Sequence, residues 1–293
     1  MSRPLTTAAE LTGDLSPDTA LRRIVAACRT DLNRYRAVVL VGTRPIGVHQ
    51  SRVALRRLRA AMGLFKHVDD PNLRAIGAEA KWIAGELAPS RDLHVFLKET
   101  APAAEAPIPR IGRRLARDRL ARARSALSGP RYEAFDAKLE AFAQALAPPG
   151  DETLLRFGAH ALTLRHDKVD KVGHKIDHLE AKTLHKLRIA VKKLRYAAIF
   201  LQPAFAGPGF DKKAARAYIE ATARLQGALG ALNDREVAAT LIADITQAAR
   251  PSETAAKPLG RLAKQLKAGT KRHRRRVAQA WKAFRKVGPF WRM

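Results

Sequence analysis

Apolar residues recur through most of this chain at the spacing of three and four that marks one face of an amphipathic helix. In the segment that begins at His49, the apolar face carries Leu55, Leu58, Met62 and Phe65, and the opposite face carries His49, Arg52, Arg56 and Arg59. The segment that begins at His185 repeats this division, with Val191, Leu194 and Leu201 opposite His185, Arg188, Lys192 and Arg195. No segment alternates with the period of two that a half-buried strand requires, so the pattern predicts an all-α protein.

The two cationic segments are copies of one motif. Residues 49–59 read HQSRVALRRLR and residues 185–195 read HKLRIAVKKLR, at a constant offset. Two copies so far apart indicate a duplicated fold unit. We therefore expect two repeats, at residues 17–147 and 151–293, after a loose N-terminus at residues 1–16.

Proline, glycine and capping residues predict where the helices begin and end. Ser16 and Pro17 are typical of a helix start, and the first helix should run to about Val41. Loops or turns are expected at residues 42–47, 89–92, 100–109, 129–130 and 206–209. Two further helices should begin beside the caps Asp92 and Asn233-Asp234.

The net charge of the chain indicates what kind of partner it binds. The 293 residues include 55 Lys and Arg against 27 Asp and Glu, which gives a formal net charge of +28 and a pI near 11.2. Such a surplus repels itself in a compact chain and requires an anionic partner, such as nucleic acid, an anionic membrane or polyphosphate. Aromatic residues make up only 6% of the chain. Single-strand binders usually place stacking rings among their cations, so this composition favours a polyanion without bases.

Neither copy of the motif contains Asp or Glu. A solvated helix face usually mixes both signs, because like charges at i and i+4 repel each other, so we interpret both strips as ligand-binding faces. Ten residues at a rise of 1.5 Å make each strip about 15 Å long, which suits a long polyanion. The candidate binding residues in the two copies are His49, Arg52, Arg56, Arg57, Arg59, His185, Arg188, Lys192, Lys193 and Arg195.

Three further segments carry cations on one face. Their candidate binding residues are Arg113, Arg114, Arg117, Lys171, Lys175, Lys267, Lys271, Arg274 and Arg275. In the arginine-rich segment Arg110 and Arg124 share the face, and a solvated surface is an equal alternative there. The last segment is expected to form one unbroken helix from Lys264 to Arg285.

His49 and His185 open the two motifs. Surrounding cations should lower the pKa of each imidazole in the free protein, and bound phosphate should raise it, so that binding tightens as the pH falls. The alternative is a neutral histidine that donates a hydrogen bond and caps the helix start. His174 and His178 have the i, i+4 spacing of a metal site, but without a HExxH motif or a cysteine partner a structural or solvated pair is favoured.

The doubled motif resembles the CHAD family, the conserved histidine α-helical domain. In that family an Arg-Asp or Asn-Asp pair follows each basic helix, and Arg91-Asp92 and Asn233-Asp234 stand at those places. The Leu-Arg-Tyr ending of the second motif is present as Leu194-Arg195-Tyr196. The resemblance extends from about residue 17 to the C-terminus. It implies two pseudo-symmetric helical bundles with a basic channel or groove between them, which binds inorganic polyphosphate and could serve targeting to polyphosphate granules.

Catalysis is not expected. The chain has no Gly-rich phosphate loop, no GxSxG motif, no Cys/His pair and no clustered carboxylates for Mg²⁺. The triphosphate-processing domain that often accompanies the helical domain in the resembling family has an ExExK signature, which is absent here. We expect non-catalytic polyphosphate binding without a cofactor or metal, and nucleic-acid binding through the same helices is the alternative.

The expected location is the cytoplasm. The N-terminus has no signal-peptide pattern, no apolar run has the length of a membrane span, and the single Cys28 excludes an internal disulfide framework.

Overall fold

The computed structural model describes residues 11–42, 45–68, 70–99, 107–148, 150–174, 176, 180–207, 209–249, 256–268 and 270–292. Within these ranges, the side chains at 181, 231–236, 256, 265–268 and 270–271 are not described. The described residues form helices and connecting turns and no strand, which confirms the prediction of an all-α protein.

The described ranges contain ten α-helices and one short 3₁₀ helix at Gln202–Phe205. The α-helices are α1 Pro17–Val41, α2 Ile46–Leu64, α3 Pro71–Glu99, α4 Pro107–Leu127, α5 Pro130–Gln144, α6 Leu154–Gly173, α7 Ala181–Leu201, α8 Lys212–Ala248, α9 Ala256–Ala268 and α10 Thr270–Arg285.

Several helix ends follow from local sequence. The Ser16 hydroxyl accepts a hydrogen bond from the Thr19 amide at 3.2 Å, and α1 ends at Val41 as predicted. Gly129 has a φ of 93°, which favours glycine, and it separates α4 from the proline that begins α5. These ends are readable in the sequence because the residues that make them are neighbours in the chain.

The two halves of the chain share an order of neighbours. Helix α1 packs on α2, α2 on α3 and α3 on α4, while α6 packs on α7, α7 on α8 and α8 on α9. The two motif helices, α2 and α7, also pack on each other across the halves. This order supports a duplication, which stays a prediction together with the repeat boundaries.

Buried apolar side chains form two separate clusters. The main core joins α1, α2, α5, α6, α7 and α10 with the first parts of α3 and α8 and the last part of α4. The second core lies between the last parts of α3 and α8, the first part of α4, and α9, and it includes Phe96, Ile111 and Ile245. Helices α3, α4 and α8 therefore each contribute to both cores.

The predicted breaks at 89–92 and at Asn233-Asp234 are wrong, because α3 continues through Pro89 and α8 is one helix. A proline inside a helix costs roughly 3 kcal/mol. Leu87 on one side of it lies in the main core and Leu93 on the other side lies in the second core, and burial on both sides outweighs that cost. Helix α8 is likewise buried in both cores.

The single helix predicted from Lys264 to Arg285 is also wrong. Helix α9 ends at Ala268 and α10 begins at Thr270, and the sequence places a glycine between them. Leu262 lies in the second core, whereas Val277 and Phe284 lie in the main core. Helix α9 therefore packs in the second core and α10 in the main core.

The N-terminal segment is not loose over residues 11–16. Leu11 is only 2% exposed, and the carbonyls of Gly13 and Leu15 accept hydrogen bonds from the amides of Leu155 and Leu154 at 2.9 and 2.6 Å. The first amides of a helix have no partner inside the helix, and this segment supplies partners for α6. Residues 1–10 lie outside the described part of the chain.

Candidate anion-binding site

A cavity of about 380 Å³ lies where α2, α3, α7 and α8 meet, and we call it the α2–α7 cavity. Its basic lining residues are His49, Arg52, Arg56, Arg91 and Arg188. Helix α3 adds two carboxylates, Asp92 and Glu99, and the remaining lining residues are Val95, Phe96, Val237 and Ala238. Residues from both copies of the motif therefore line the same concavity.

Arginines in this wall are held in place by hydrogen bonds. Arg52 donates from Nη1 to the Ala84 carbonyl at 2.7 Å, and Arg56 donates from Nε to the Tyr196 hydroxyl at 2.6 Å. A guanidinium group carries five N–H donors in a fixed fork. Each of these bonds uses one of them and orients the rest, which suits bidentate contact with phosphate oxygens.

The cations of the two motifs are close enough to repel each other. Burial lowers the pKa of Lys192 on α7, and Arg56, Arg188, Arg59 and Lys193 lower it further. Arg56 and Arg59 belong to α2. An ammonium group that is partly buried among four other cations, two of them from a distant part of the chain, is stabilised by any anion that enters between them.

His49 accepts a hydrogen bond at Nδ1 from Arg91 Nε, at 2.9 Å. Burial lowers its pKa first, and the charges of Arg91, Arg56 and Arg52 lower it further, in the predicted direction. His49 is therefore neutral in the free protein near neutral pH, with its proton on Nε2. The start of α2 has no side-chain cap at Pro45, and since Nδ1 of His49 accepts from Arg91, only its Nε2 can donate. His185 is exposed on α7.

A second cavity of about 330 Å³ adjoins the first, and we call it the side cavity. Both are lined by His49, Arg91, Val95 and Glu99. The side cavity adds His94 and Lys98, and burial, Arg91 and Lys98 lower the pKa of His94. The His49–Arg91 hydrogen bond thus lies at the boundary between the two cavities.

Six polar lining or supporting residues escaped the sequence argument as site residues, namely Arg91, Asp92, His94, Lys98, Glu99 and Tyr196. All but Tyr196 lie on α3, which has no cationic strip of its own. Arg91 and Tyr196 were visible only as marks of the family resemblance. Nothing in the local pattern indicates that the end of α3 faces α2.

Arg57, a predicted site residue, does not line either cavity. It is 7% exposed, and its Nη1 lies 3.2 Å from Asp31 Oδ2 on α1. The neighbouring Arg56 points to the cavity, because successive residues are 100° apart on a helix. Arg57 therefore has a structural role, and removing one partner of such a buried pair typically costs about 3–5 kcal/mol.

The arginine-rich helix α4 is divided in a similar way. Arg114 donates to the Ala248 carbonyl of α8, and Arg124 donates to the carbonyls of Val39 and Gly42 at 3.0 and 2.9 Å. Arg113 and Arg117 are exposed. Arg114 and Arg124 thus hold α4 against α8 and the end of α1, and neither lines the two cavities; ligand binding by this face stays a prediction.

The other predicted cations lie outside the two cavities. Those that are exposed are Arg59, Lys171, Lys193, Arg274 and Arg275, while Arg195 is half-buried and donates to Gln226 at 3.3 Å. Lys175 lies outside the described residues, and the side chains of Lys267 and Lys271 are not described.

The histidine pair cannot be compared with its prediction, because His178 lies outside the described residues and only the exposed His174 is placed. Among the described residues, no group of three or more His, Cys, Asp or Glu side chains has the arrangement of a metal site. In the same residues, no helix has the length and apolar character needed to cross a membrane.

Comparisons with known proteins agree with this fold. A sequence model of the CHAD domain matches residues 23–243. The crystal structure of the CHAD domain from the plant Ricinus communis is similar over 98% of this chain and 98% of that chain, with 26% sequence identity and a TM-score of 0.85. PptA from Streptomyces chartreusis is similar in fold over 91% of this chain and 99% of that chain, with 19% identity and a TM-score of 0.67. No curated protein sequence matches the chain.

Proposed function

The chain belongs to the CHAD domain family, and from that premise we propose that it binds inorganic polyphosphate in the α2–α7 cavity and does not hydrolyse it. The observation that carries the proposal is that Arg52 and Arg56 of the first motif and Arg188 of the second line one cavity. Beside them, burial and then the charges of Arg56 and Arg188 lower the pKa of Lys192. A phosphate chain between them would replace this repulsion by attraction. It would also release its condensed counterions, as other dense linear polyanions do.

The wall chemistry favours phosphate over nucleic acid. The forked N–H donors of an arginine guanidinium match the oxygens of a phosphate group, and the ammonium group of lysine contributes a point charge. Phe96 is the one Phe, Tyr or Trp among the described residues that line the α2–α7 cavity, and it is 3% exposed, so the wall offers no such ring for base stacking. Nucleic acid remains the second candidate because of the net charge of +28.

A competition experiment separates these two ligands. Long-chain polyphosphate should displace labelled DNA and RNA from the protein at low concentration in a gel-shift titration. Polyphosphates of graded length, tested beside DNA of matched charge, should bind more tightly as they lengthen. Displacement of polyphosphate by DNA at low concentration would overturn the proposal.

Charge reversal in the cavity tests the site. Arg56→Glu with Arg188→Glu should weaken polyphosphate binding by at least about a hundredfold, because a hydrogen bond to a charged group is worth roughly 1.5–3 kcal/mol. Arg52→Glu with Arg188→Glu should abolish polyphosphate binding without unfolding the protein. Circular dichroism checks the fold of both double variants.

The matched control is Lys138→Glu with Lys213→Glu. Both lysines are exposed, on α5 and α8, and neither lines a described cavity. The control makes the same change in net charge, so it should reduce affinity only slightly. Equal losses in both double variants would mean that net charge alone binds the polymer and would rule out the cavity.

The proposed cellular role is recruitment to polyphosphate granules in the cytoplasm. A fluorescent fusion should co-localise with a polyphosphate stain, and the cavity variant should lose that localisation while the control variant keeps it.

A further inference from the structure

Helix α10 carries a cationic face that is separate from the α2–α7 cavity. Its apolar residues Val277, Trp281 and Phe284 are buried in the main core, which turns Arg274 and Arg275 to the surface. The sequence argument counted these cations among the candidate binding residues. The structure gives α10 a concavity of its own, a groove of about 470 Å³ against α8, which we call the α8–α10 groove.

Positive and polar side chains form the walls of this groove. Arg224 enters from α8, and His273, Arg276 and Gln279 enter from α10. Among the described residues that line it there is no Asp or Glu. The groove is therefore a concave cationic surface, which is the electrostatic requirement for holding an oxyanion.

The nearest acid on α8 does not neutralise this charge. Glu220 accepts a hydrogen bond at Oε1 from Arg216 Nε at 3.0 Å, whereas its Oε2 lies 4.0 Å from Arg224 Nη1. The Arg224 side chain is 60% exposed, and Arg276 is exposed as well. An exposed ion pair at that distance contributes between zero and about 1 kcal/mol, so most of the Arg224 charge is open to a ligand.

The floor of the groove is small and open. It is made of glycine and alanine residues such as Gly227 and Ala280, and a Cβ placed at Gly227 would meet no atom within 4 Å. Long arginine side chains at the rim and short residues at the floor leave room for tetrahedral phosphate groups between the helices. No Phe, Tyr or Trp lines the described groove, so it favours a phosphate chain over stacked bases.

The groove and the α2–α7 cavity are independent. They have no lining residue in common. Arg224 lines the groove and Val237 lines the cavity. The two residues lie more than three turns apart on α8, a distance of about 20 Å along the helix axis. A triphosphate is shorter than this distance and would occupy one site or the other.

We propose that the α8–α10 groove is a second phosphate-binding site, in which Arg224 and Arg276 hold a separate segment of polyphosphate. This inference rests on the proposed function and extends it. A long chain would then be held at two places on one protein, which raises its overall affinity through the effective concentration of the second contact.

Isothermal titration calorimetry with inorganic tripolyphosphate tests this proposal on the full chain. The unmodified protein should bind two molecules per chain. Arg224→Gln with Arg276→Gln should bind one, because the groove site weakens by at least about tenfold when two charged contacts are lost. Lys213→Gln with Lys282→Gln is the control, since it removes two exposed cations from the same helices outside the groove.

The cavity variant Arg56→Glu with Arg188→Glu separates the two proposals. It should also bind one tripolyphosphate, and that site should disappear when the groove substitutions are added. A groove variant that still binds two molecules, or that loses DNA but no tripolyphosphate, would overturn the second site. A cavity variant that still binds two molecules would instead overturn the proposed function.

Discussion

At the residue scale, neighbours in one motif have different roles. Arg56 is exposed and lines the α2–α7 cavity, whereas Arg57 is buried against Asp31. The two copies of the motif also differ in their histidines, because His49 accepts a hydrogen bond from Arg91 whereas His185 is exposed. A cationic motif therefore contains both cavity-facing residues and residues that hold the bundle together.

Tyr196 should position Arg56 for phosphate. The tyrosine is 6% exposed on α7, and its hydroxyl fixes the guanidinium of α2 at 2.6 Å. Tyr196→Phe keeps the ring and every charge but removes this hydroxyl, so polyphosphate affinity should fall by about three- to tenfold. Affinity is measured as a function of salt concentration.

The salt dependence identifies the role of the tyrosine. Each cation that neutralises a phosphate adds about one unit to the slope of log affinity against log salt. Tyr196→Phe should leave that slope unchanged, whereas Arg56→Gln should reduce it by about one unit. In the Arg56→Gln background, Tyr196→Phe should have no further effect. A full additional loss there would exclude positioning through Arg56.

His49 should make binding depend on pH. Its pKa lies below the ordinary 6.5 in the free protein, and a bound phosphate raises it, so binding takes up a proton and affinity should increase from pH 8 to pH 6. His49→Gln should flatten this profile. A profile that is already flat in the unmodified protein would contradict the prediction.

The same group has the opposite effect on stability without ligand. The unfolded chain binds the His49 proton at the ordinary pKa of 6.5, whereas the folded chain binds it only at lower pH. The unfolding free energy should therefore fall as the pH drops below about 6.5, and His94 and His166 add to this trend because their pKa values are also lowered.

At the scale of elements, the contact between α6 and α10 depends on one glycine. A Cβ at Gly173 would lie 2.3 Å from Cη2 of Trp281, which is 6% exposed in the main core. Gly173→Ala should lower the unfolding free energy by about 1–3 kcal/mol, because a packed core cannot accept the added methyl group without moving. Urea denaturation measures the change.

Gly85 provides the control for this substitution. It is exposed within α3, and a Cβ there would meet no atom within 4 Å. Gly85→Ala should raise the unfolding free energy by about 0.5–1 kcal/mol, since alanine has the higher helix propensity. Equal effects of the two substitutions would show that helix propensity, not contact with Trp281, decides the outcome at Gly173.

Helix length was the least predictable feature at this scale. Pro89 is a strong local signal for a helix end, yet α3 continues through it. Arg119 supports this region from α4, because it donates to the Pro89 carbonyl at 3.3 Å and pairs with Asp244 of α8 at 2.5 Å. These partners are distant in sequence, so no local pattern could have indicated them.

At the scale of the whole molecule, the α2–α7 cavity lies between the two cores. Arg52, Arg56 and Arg188 come from helices of the main core, while Phe96 and Ala238 belong to the second core. The shape of the cavity therefore depends on how the two cores are held together. Three helices that pass through both cores provide that connection.

The net charge of +28 also acts at this scale. Several of the described acids pair with cations of other helices, such as Asp136 with Arg29 and Glu79 with Arg131. The exposed cations are left with few acids to balance them, which is the physical reason to expect an anionic polymer as the partner.

The sequence by itself determined the all-α class, the two amphipathic motif helices and the family. The 100° periodicity of a helix and each copy of the motif depend only on residues near each other in the chain. Only the tertiary structure decided that Arg56 faces the cavity while Arg57 pairs with Asp31, that Arg91 bonds to His49, and that α10 faces a groove of its own. The partners in each case come from other helices. Helical periodicity tells which side chains share a face, but only the packing of all the helices tells what that face meets.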